Sequence, residues 1–382
     1  MYLAYYTQNF VIKYVDLLIS TFYNYLAKEG DIMKCKSSFS LAMTYAGSFL
    51  GAGYVSGREL WQYFGRYGAF GLVGLLLTML LFAFLGYALF TVVSKTCCSQ
   101  MDKVIVQKDN KFLLILVSVL QILNFLSIYI IMIAGIGAMF KTVFGFSEYI
   151  VLLITSVIMI VFAVGGIGRL IKVFSFTVPI LIVVAVIISI LSMVGKEDLC
   201  SFSFENQNGY FWLFSCLVYM SFNFFGIVGI MSPVFIKVKN NKTAITGIIL
   251  GTTALFIIAV FLIVALNVNT SYINEQLPML NLSFSMGNIP GIIYSVLLFL
   301  AMLGTALSSL VATENFLVEK KEFYKRHRLS CLILIATVCF LCSLVGFGKL
   351  IEILYPLFGV TGFFAIVLIV YNYFAIKMKK QT

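Results

Sequence analysis

The segment TYAGSFLGAGYVSGR, residues 44–58, places four glycines within eleven positions of the first long apolar stretch: Gly47, Gly51, Gly53 and Gly57. Glycine loses more backbone entropy on ordering than any other residue, so it is a poor helix former. A helix that breaks inside a bilayer leaves backbone N–H and C=O groups unpaired, unless the break lines a cavity. The segment therefore predicts an interrupted transmembrane helix beside a binding site.

The composition indicates a membrane protein. Of the 382 residues, 62% are hydrophobic and only 11% are charged, whereas soluble domains carry about 25% charged residues. Apolar stretches of around twenty residues recur along the chain, and each can cross about 30 Å of hydrocarbon. We expect an all-α polytopic membrane protein.

Ten transmembrane helices are predicted, in two halves at about residues 37–195 and 209–376. They form one membrane domain over residues 37–376, followed by a short cytoplasmic tail at 377–382. The ten spans lie at residues 38–64, 69–93, 112–140, 148–167, 171–195, 209–236, 244–267, 289–317, 329–348 and 351–376.

The basic residues predict the orientation. With the segment around Lys34 placed in the cytoplasm, 19 Lys and Arg residues fall in cytoplasmic loops and 5 lie outside. Cytoplasmic loops are enriched in these residues, so we expect a multi-pass protein of the bacterial plasma membrane with both termini in the cytoplasm. The net charge of +11 then reflects topology and attraction to anionic lipid, and no nucleic-acid partner is expected.

Residues 1–36 form an N-terminal extension that does not fit the plan of spans, because Lys13 and Asp16 interrupt its apolar residues. One interpretation is an amphipathic interfacial helix over about residues 8–27. The favoured interpretation is a mis-assigned start, with Met33 as the true first residue. Residues 28–33 can be encoded by a stretch that contains a bacterial ribosome-binding sequence before the ATG.

The eight cysteines and the single histidine, His327, form no pattern typical of a metal site. Most of the cysteines lie in or beside apolar stretches, where they act as small packing residues. The spans hold no cluster of His, Asp, Glu or Cys, and the sequence contains no Walker motif. Neither an enzyme, nor an ATP-driven pump, nor a bound cofactor is expected.

The sixth predicted span contains a second group of helix breakers, Gly226, Gly229 and Pro233, preceded by the polar residues Ser221 and Asn223. The first span of each half is therefore predicted to be interrupted, which is typical of a five-plus-five inverted repeat with substrate held at the two breaks. An amide inside a bilayer needs a partner. For Asn223 this partner is either the solute or a neighbouring helix.

The Gly47–Gly57 region and the RELWQYF that follows it, residues 58–64, resemble the YkvI-like bacterial membrane proteins. These are distant relatives of the amino acid–polyamine–organocation superfamily. The region is also similar in pattern to the first helix of sodium-coupled amino-acid transporters such as the bacterial leucine transporter. The resemblance covers about residues 37–376 in topology, with its motifs in spans one and eight and weaker support in span six. It implies a leucine-transporter-like fold.

The resemblance also implies a Na⁺ site between the first and eighth spans. Its ligands would be the carbonyls of Gly47, Leu50 and Thr305 and the hydroxyls of Ser308 and Ser309. Independently of the family, Thr305, Ser308 and Ser309 share one face of a helix. The alternative is a packing seam, because Gly304 and Ser308 form a pair of small residues typical of helix contacts in membranes.

For the substrate, we expect N–H groups at Gly51, Ala52 and Gly53 to hold a carboxylate near the positive end of the outer half-helix. The resemblance adds a tyrosine hydroxyl from the third span, for which Tyr129 is the candidate; an ordinary packing tyrosine is the alternative. The candidates from the sixth span are Ser221 and Asn223.

Arg58 and Glu59 follow the break and are expected as gate residues at the mouth of an outward vestibule. Together with Glu314, Glu59 is also a candidate proton carrier. No charged side chain occurs at residues 173–195, where proton-coupled relatives can place a lysine that replaces the sodium. This absence favours Na⁺ as the coupling ion.

These features predict a secondary active transporter of a small organic solute, an amino acid or a related compound, coupled to Na⁺. Two alternatives stay open: a proton-coupled transporter, and an amino-acid-sensing receptor subunit similar to the membrane subunits of spore germinant receptors. The expected partners are the lipid bilayer and a small-molecule solute. The oligomeric state stays open.

Overall fold

The computed structural model describes residues 37–98, 100–107, 110–163, 167–196, 209–320 and 322–378. Within these ranges the chain is helical and contains no strand, which confirms the predicted all-α fold. The predicted N-terminal extension at residues 1–36 and residues 379–382 of the tail lie outside the described residues.

Fifteen α-helices occur in the described part of the chain, with short 3₁₀ turns at Gly65–Tyr67 and Thr270–Tyr272. They are α1 (Ser38–Phe49), α2 (Ala52–Val55), α3 (Arg58–Tyr63), α4 (Gly68–Thr96), α5 (Met101–Ile105), α6 (Lys111–Phe144), α7 (Glu148–Ala163), α8 (Ile167–Met193), α9 (Phe211–Phe235), α10 (Asn241–Val268), α11 (Pro278–Ser285), α12 (Asn288–Lys320), α13 (Glu322–Arg326), α14 (Arg328–Ser343) and α15 (Phe347–Met378).

Six segments among the described residues are long and apolar enough to cross a membrane. They are α3 together with α4, then α6, α9, α10, α12 and α15, while α7, α8 and α14 contain shorter apolar helices. Large apolar side chains on these helices face outward, among them Leu80, Ile115 and Phe364, as expected for surfaces in contact with acyl chains. The chain is therefore a membrane protein with several spans.

The predicted interruption of the first span is confirmed. Helix α1 begins after Ser37, whose hydroxyl accepts a hydrogen bond from the Ser40 N–H at 3.1 Å. It ends at Phe49, because Leu50 leaves the helical conformation (φ −74°, ψ 76°). Gly57 then separates α2 from α3 with a φ of +79°, a left-handed conformation that glycine adopts without steric cost.

The predicted break in the sixth span is wrong, because α9 runs as one helix from Phe211 to Phe235. Its glycines serve close packing. A Cβ on Gly226 would lie 2.7 Å from Ile128 Cδ1, and one on Gly229 would overlap the Phe125 ring. Both glycines thus let α6 approach α9. Pro233 lies in the last turn of α9, two residues before the helix ends, and does not interrupt it. The inverted repeat stays a prediction.

Helix α12 lies at the centre of the bundle and is the most buried of the long apolar helices described. It packs on α6, while α9 packs on α15 and α10 packs on α1. Short helix α2 contacts α6 and α12. The interruption of the first span is therefore enclosed by other helices and does not face lipid.

Candidate functional site

The interruption frees backbone carbonyls that other helices satisfy. The three bonds run from the Thr305 hydroxyl to the Leu50 carbonyl (3.1 Å), from the Tyr294 hydroxyl to the Val55 carbonyl (2.5 Å) and from the Met279 N–H to the Ser56 carbonyl (2.9 Å). The donors come from α12 and α11. Since an unpaired carbonyl at membrane depth costs several kcal/mol, these bonds explain how the break is tolerated.

A small cavity lies against the break, between α6, α9, α12 and α15. Its volume of about 20 Å³ is enough for about one water molecule. Most of its wall is apolar or aromatic. The polar side chains that line it are Ser48, Glu59, Asn223, Thr305 and Tyr355.

Glu59 contributes an acidic side chain to this cavity, although it was expected at the outer mouth of a vestibule. The residue is only 1% exposed. A Cβ built on Gly53 would overlap its carboxyl group, so the carboxyl lies directly over Gly53 and requires glycine there. The position is corrected because Arg58 and Glu59 are neighbours on a helix, and neighbours point about 100° apart. One of them faces outward and the other faces the break.

The Glu59 carboxyl is incompletely hydrogen-bonded. Tyr355 of α15 forms a side-chain hydrogen bond with it, while Oε1 has no partner among the described residues. A buried polar atom without a partner is costly. This carboxyl therefore has an oxygen at the break that is available to bind something else.

Arg58, which was expected as a gate residue, binds partners that do not line the cavity. Its guanidinium donates to the carbonyls of Ile273 at 3.2 Å and Glu275 at 3.4 Å, and it pairs with the Glu352 carboxylate at 3.3 Å. These contacts join α3 to the segment before α11 and to the start of α15. Arg58 thereby links these three parts of the bundle, and its role as a gate residue stays a prediction.

The proposed ion ligands from the eighth span are buried on α12. The Ser308 hydroxyl donates to the Gly304 carbonyl at 2.8 Å, and the Ser309 hydroxyl donates to the Thr305 carbonyl at 3.0 Å. A hydroxyl that donates still has lone pairs with which it can bind a cation. Thr305 also contacts Leu50, so α12 touches the end of α1. Coordination of an ion by this set stays a prediction.

The candidate substrate residues separate into two groups. Gly51 and Asn223 line the cavity, and the Asn223 amide donates to the Tyr219 carbonyl of its own helix at 3.0 Å. Ala52 begins α2. Among the described contacts, no ligand is required to explain the position of Asn223.

Tyr129 and Ser221 do not line the cavity. Tyr129 is buried on α6, and its hydroxyl has no hydrogen-bond partner among the described residues. Ser221 borders a groove between α9 and α15 on the outer surface of the bundle. Adjacent residues on a helix point about 100° apart. Ile128, which precedes Tyr129, and Phe222, which follows Ser221, are therefore the residues that face the cavity.

Two features of the site were missed from the sequence. Tyr355 stacks on Phe222 with ring centroids 3.8 Å apart, and it supplies the hydrogen bond to Glu59. Asn124 is fully buried next to Gly226, and neither end of its amide has a partner among the described residues. A buried amide in an apolar span was the available signal for Asn124, whereas nothing local distinguishes Tyr355 from the other tyrosines.

Ion pairs close the opposite end of the bundle, which is predicted to face the cytoplasm. Asp102 of α5 is fully buried and pairs with Lys320 at the end of α12. Glu314, one of the candidate proton carriers, pairs with Arg328 of α14. The Asn372 amide of α15 donates to the carbonyls of α5. Ion pairs therefore link helices at both ends of the bundle. The cavity of about 20 Å³ has no room for a solute larger than water.

The sequence matches no protein-family model. It is 25% identical over 328 residues to the "uncharacterized membrane protein YkvI" of Bacillus subtilis (strain 168), an alignment that covers 85% of this chain and 92% of YkvI. It is also 25% identical over 338 residues to the "uncharacterized protein YyaD" of the same organism, covering 84% and 92% of the two chains. The expected resemblance to YkvI-like membrane proteins is confirmed.

Solved transporter structures share the fold. MhsT in complex with L-phenylalanine superposes with a TM-score of 0.62 at 18% identity, covering 87% of this chain and 88% of MhsT. Inward-facing Mhp1, a nucleobase-cation-symport-1 family transporter, gives 0.60 at 16% identity over 90% and 77%. A manganese transporter of Eremococcus coleocola gives 0.58 at 11% identity over 83% and 71%. These likenesses confirm the leucine-transporter-like fold.

Proposed function

We propose that this protein is a secondary active transporter that moves a small organic solute, an amino acid or a related compound, together with Na⁺. The observation that carries the proposal is the interruption at Leu50 and Gly51, which is enclosed in the bundle and borders a cavity. Irregular backbone at membrane depth is characteristic of solute and ion sites in transporters. No catalytic role is proposed.

The proposed Na⁺ site lies where α12 meets the end of α1. Thr305 contacts the Leu50 carbonyl, and Ser308 and Ser309 are buried on the same helix. Carbonyl and hydroxyl oxygens suit a hard monovalent cation that has shed its water. Gly47, which lies buried on α1, supplies the remaining carbonyl of the proposed set.

Proton coupling is a second candidate, and one observation favours it. Glu59 is a buried carboxyl at the break with an unpartnered oxygen, and ionisable groups inside membrane proteins commonly carry protons. Glu314 is the weaker candidate because Arg328 already pairs with it.

Reconstitution distinguishes these functions. Purified protein in proteoliposomes is offered a panel of radiolabelled amino acids under an imposed Na⁺ gradient, an imposed proton gradient, or neither, with the membrane potential clamped by K⁺ and valinomycin. We expect uptake that requires the Na⁺ gradient. Uptake that follows only the proton gradient and is lost in Glu59→Gln supports the second candidate. Binding without uptake under any gradient contradicts transport and points to a receptor.

A further inference from the structure

We infer that the solute carries an ammonium group and that the Glu59 carboxylate binds this group at the break. The inference rests on the proposed function, whose site it shares, and it names the chemical class of the solute. Glu59, which the sequence suggested as a gate residue, is therefore assigned instead as a residue that determines specificity.

The geometry of Glu59 fits a missing cationic partner. Its carboxyl lies over Gly53, borders the cavity and receives one hydrogen bond from Tyr355, which leaves Oε1 without a partner. A buried carboxylate is unfavourable unless it is paired and hydrogen-bonded. The space beside it, about 20 Å³, admits one group of the size of water, which is the size of an ammonium group.

The rest of the cavity argues against anchoring by a solute carboxylate. No basic side chain lines it among the described residues. The guanidinium of Arg58, the nearest basic residue along the chain, already bonds to Ile273, Glu275 and Glu352. A carboxylate placed at Gly53 would therefore meet the Glu59 carboxylate and no basic side chain, and like charges at this distance repel. The sequence-based expectation of a carboxylate held at Gly53 conflicts with this arrangement.

Aromatic rings beside the carboxyl also favour a cation. Tyr355 stacks on Phe222 at 3.8 Å and on Tyr63 at 5.4 Å between ring centroids, and Tyr219 packs against Tyr63 at 5.6 Å. The faces of aromatic rings carry partial negative charge and attract ammonium groups, more strongly where water is excluded. Of these rings, Phe222 and Tyr355 line the cavity together with Glu59, so a positively charged nitrogen there would lie beside the carboxylate and two aromatic side chains.

Matched solutes test the inference by binding, independently of transport. Detergent-purified protein is titrated with leucine, 3-methylbutylamine and N-acetyl-leucine, and with phenylalanine, phenethylamine and N-acetyl-phenylalanine, while thermal unfolding is followed. In each series the first two compounds carry an ammonium group and the third does not. We expect stabilisation by the amino acid and its amine in at least one series and none by the N-acetyl compound.

Variants assign the effect to Glu59. Glu59→Gln keeps the shape of the side chain and removes its charge, so the apparent Kd of ammonium compounds should rise at least about 10-fold. Glu59→Asp keeps the charge and should give an intermediate loss. Glu148→Gln, at a partly exposed ion pair with Lys141, is the matched control and should bind as the wild type does. Unfolding temperatures and gel-filtration profiles without solute establish that each variant is folded.

Three outcomes overturn the inference: stabilisation by the N-acetyl compounds, an unchanged Kd in Glu59→Gln, or no stabilisation by any of the six solutes. The second outcome is also the one expected if Glu59 only carries a proton. If ammonium solutes bind through Glu59 but are not moved in proteoliposomes, the inference stands and the proposed transport function falls. If uptake occurs and the N-acetyl compounds also bind, the transport function stands and the inference falls.

Discussion

The Thr305 hydroxyl donates a hydrogen bond of 3.1 Å to the backbone carbonyl of Leu50, the residue at which the first span leaves the helical conformation. Thr305 comes from the most buried long helix, so this bond joins the centre of the bundle to the break. The Leu50 carbonyl and the Thr305 hydroxyl therefore place two oxygens side by side in the buried interior of the bundle. A small cation could replace the hydrogen bond between them.

We predict that the double variant Ser308→Ala and Ser309→Ala weakens the apparent affinity for Na⁺. Removing two of about five ligands should cost at least about 1.4 kcal/mol, or about 10-fold in affinity. Both hydroxyls bond to carbonyls of their own helix, so the fold should tolerate the change. Na⁺ titration of solute binding measures the effect, and solute affinity should recover at high Na⁺ because the two affinities are linked. An unchanged Na⁺ midpoint would indicate that Ser308 and Ser309 serve only in helix packing.

We predict that Gly53→Leu and Gly51→Leu abolish solute binding and uptake without preventing membrane insertion. A side chain on Gly53 displaces the Glu59 carboxyl, and a Cβ on Gly51 would lie 2.9 Å from Cε of Met132, which lines the cavity. Uptake is compared at matched surface expression. The control is Gly137→Ala, where Leu152 needs to shift only slightly. Normal uptake by both leucine variants would exclude the break as the binding site.

We predict that Lys320→Gln destabilises the protein more than Asp102→Asn does. Asp102 is fully buried, whereas the Lys320 side chain is 37% exposed. Removal of the lysine leaves a buried charge unpaired, at a cost on the order of 3 kcal/mol, but removal of the aspartate leaves a lysine that water can solvate. The unfolding temperature in detergent measures the difference, with the exposed Lys239→Gln as the control. Equal losses in the two variants would contradict the pairing.

We predict that cysteines introduced at Lys103 and Lys239 react with membrane-impermeant thiol reagents only from the cytoplasm. Cysteines at Lys141, Lys196 and Glu275 should react from outside. All five positions are exposed, so accessibility depends on side and not on burial. The substitutions are made in a cysteine-free background, and labelling of intact cells is compared with that of inverted vesicles. A position that labels from the wrong side would show that a span was miscounted.

The interruption of the first span was predictable because glycine acts locally. Four glycines in eleven positions lower helix stability wherever the segment lies, and Gly57 adopts the left-handed conformation that only glycine takes easily. The glycines of the sixth span give the same local signal, but α9 is continuous. Their role depends on α6, which packs against them. The local sequence around a glycine does not indicate which helix packs on it.

The orientation of Glu59 and the contribution of Tyr355 could not be predicted for a related reason. Adjacent residues on a short helix face different directions, and the phase of α3 is set by the left-handed turn at Gly57. Tyr355 reaches Glu59 from the last long helix, almost 300 residues along the chain. The face of α12 that carries Thr305, Ser308 and Ser309 was predictable, because their spacing alone places them together.

The most direct test of the central claim is the time course of solute uptake by the purified wild-type protein in proteoliposomes under an inward Na⁺ gradient. We predict that a transported amino acid accumulates transiently above its equilibrium level and that a Na⁺ ionophore abolishes this overshoot. Coupled transport requires such accumulation, since the gradient is the only source of free energy. Uptake that never exceeds the equilibrium level, or that is identical in protein-free liposomes, would contradict the proposed function.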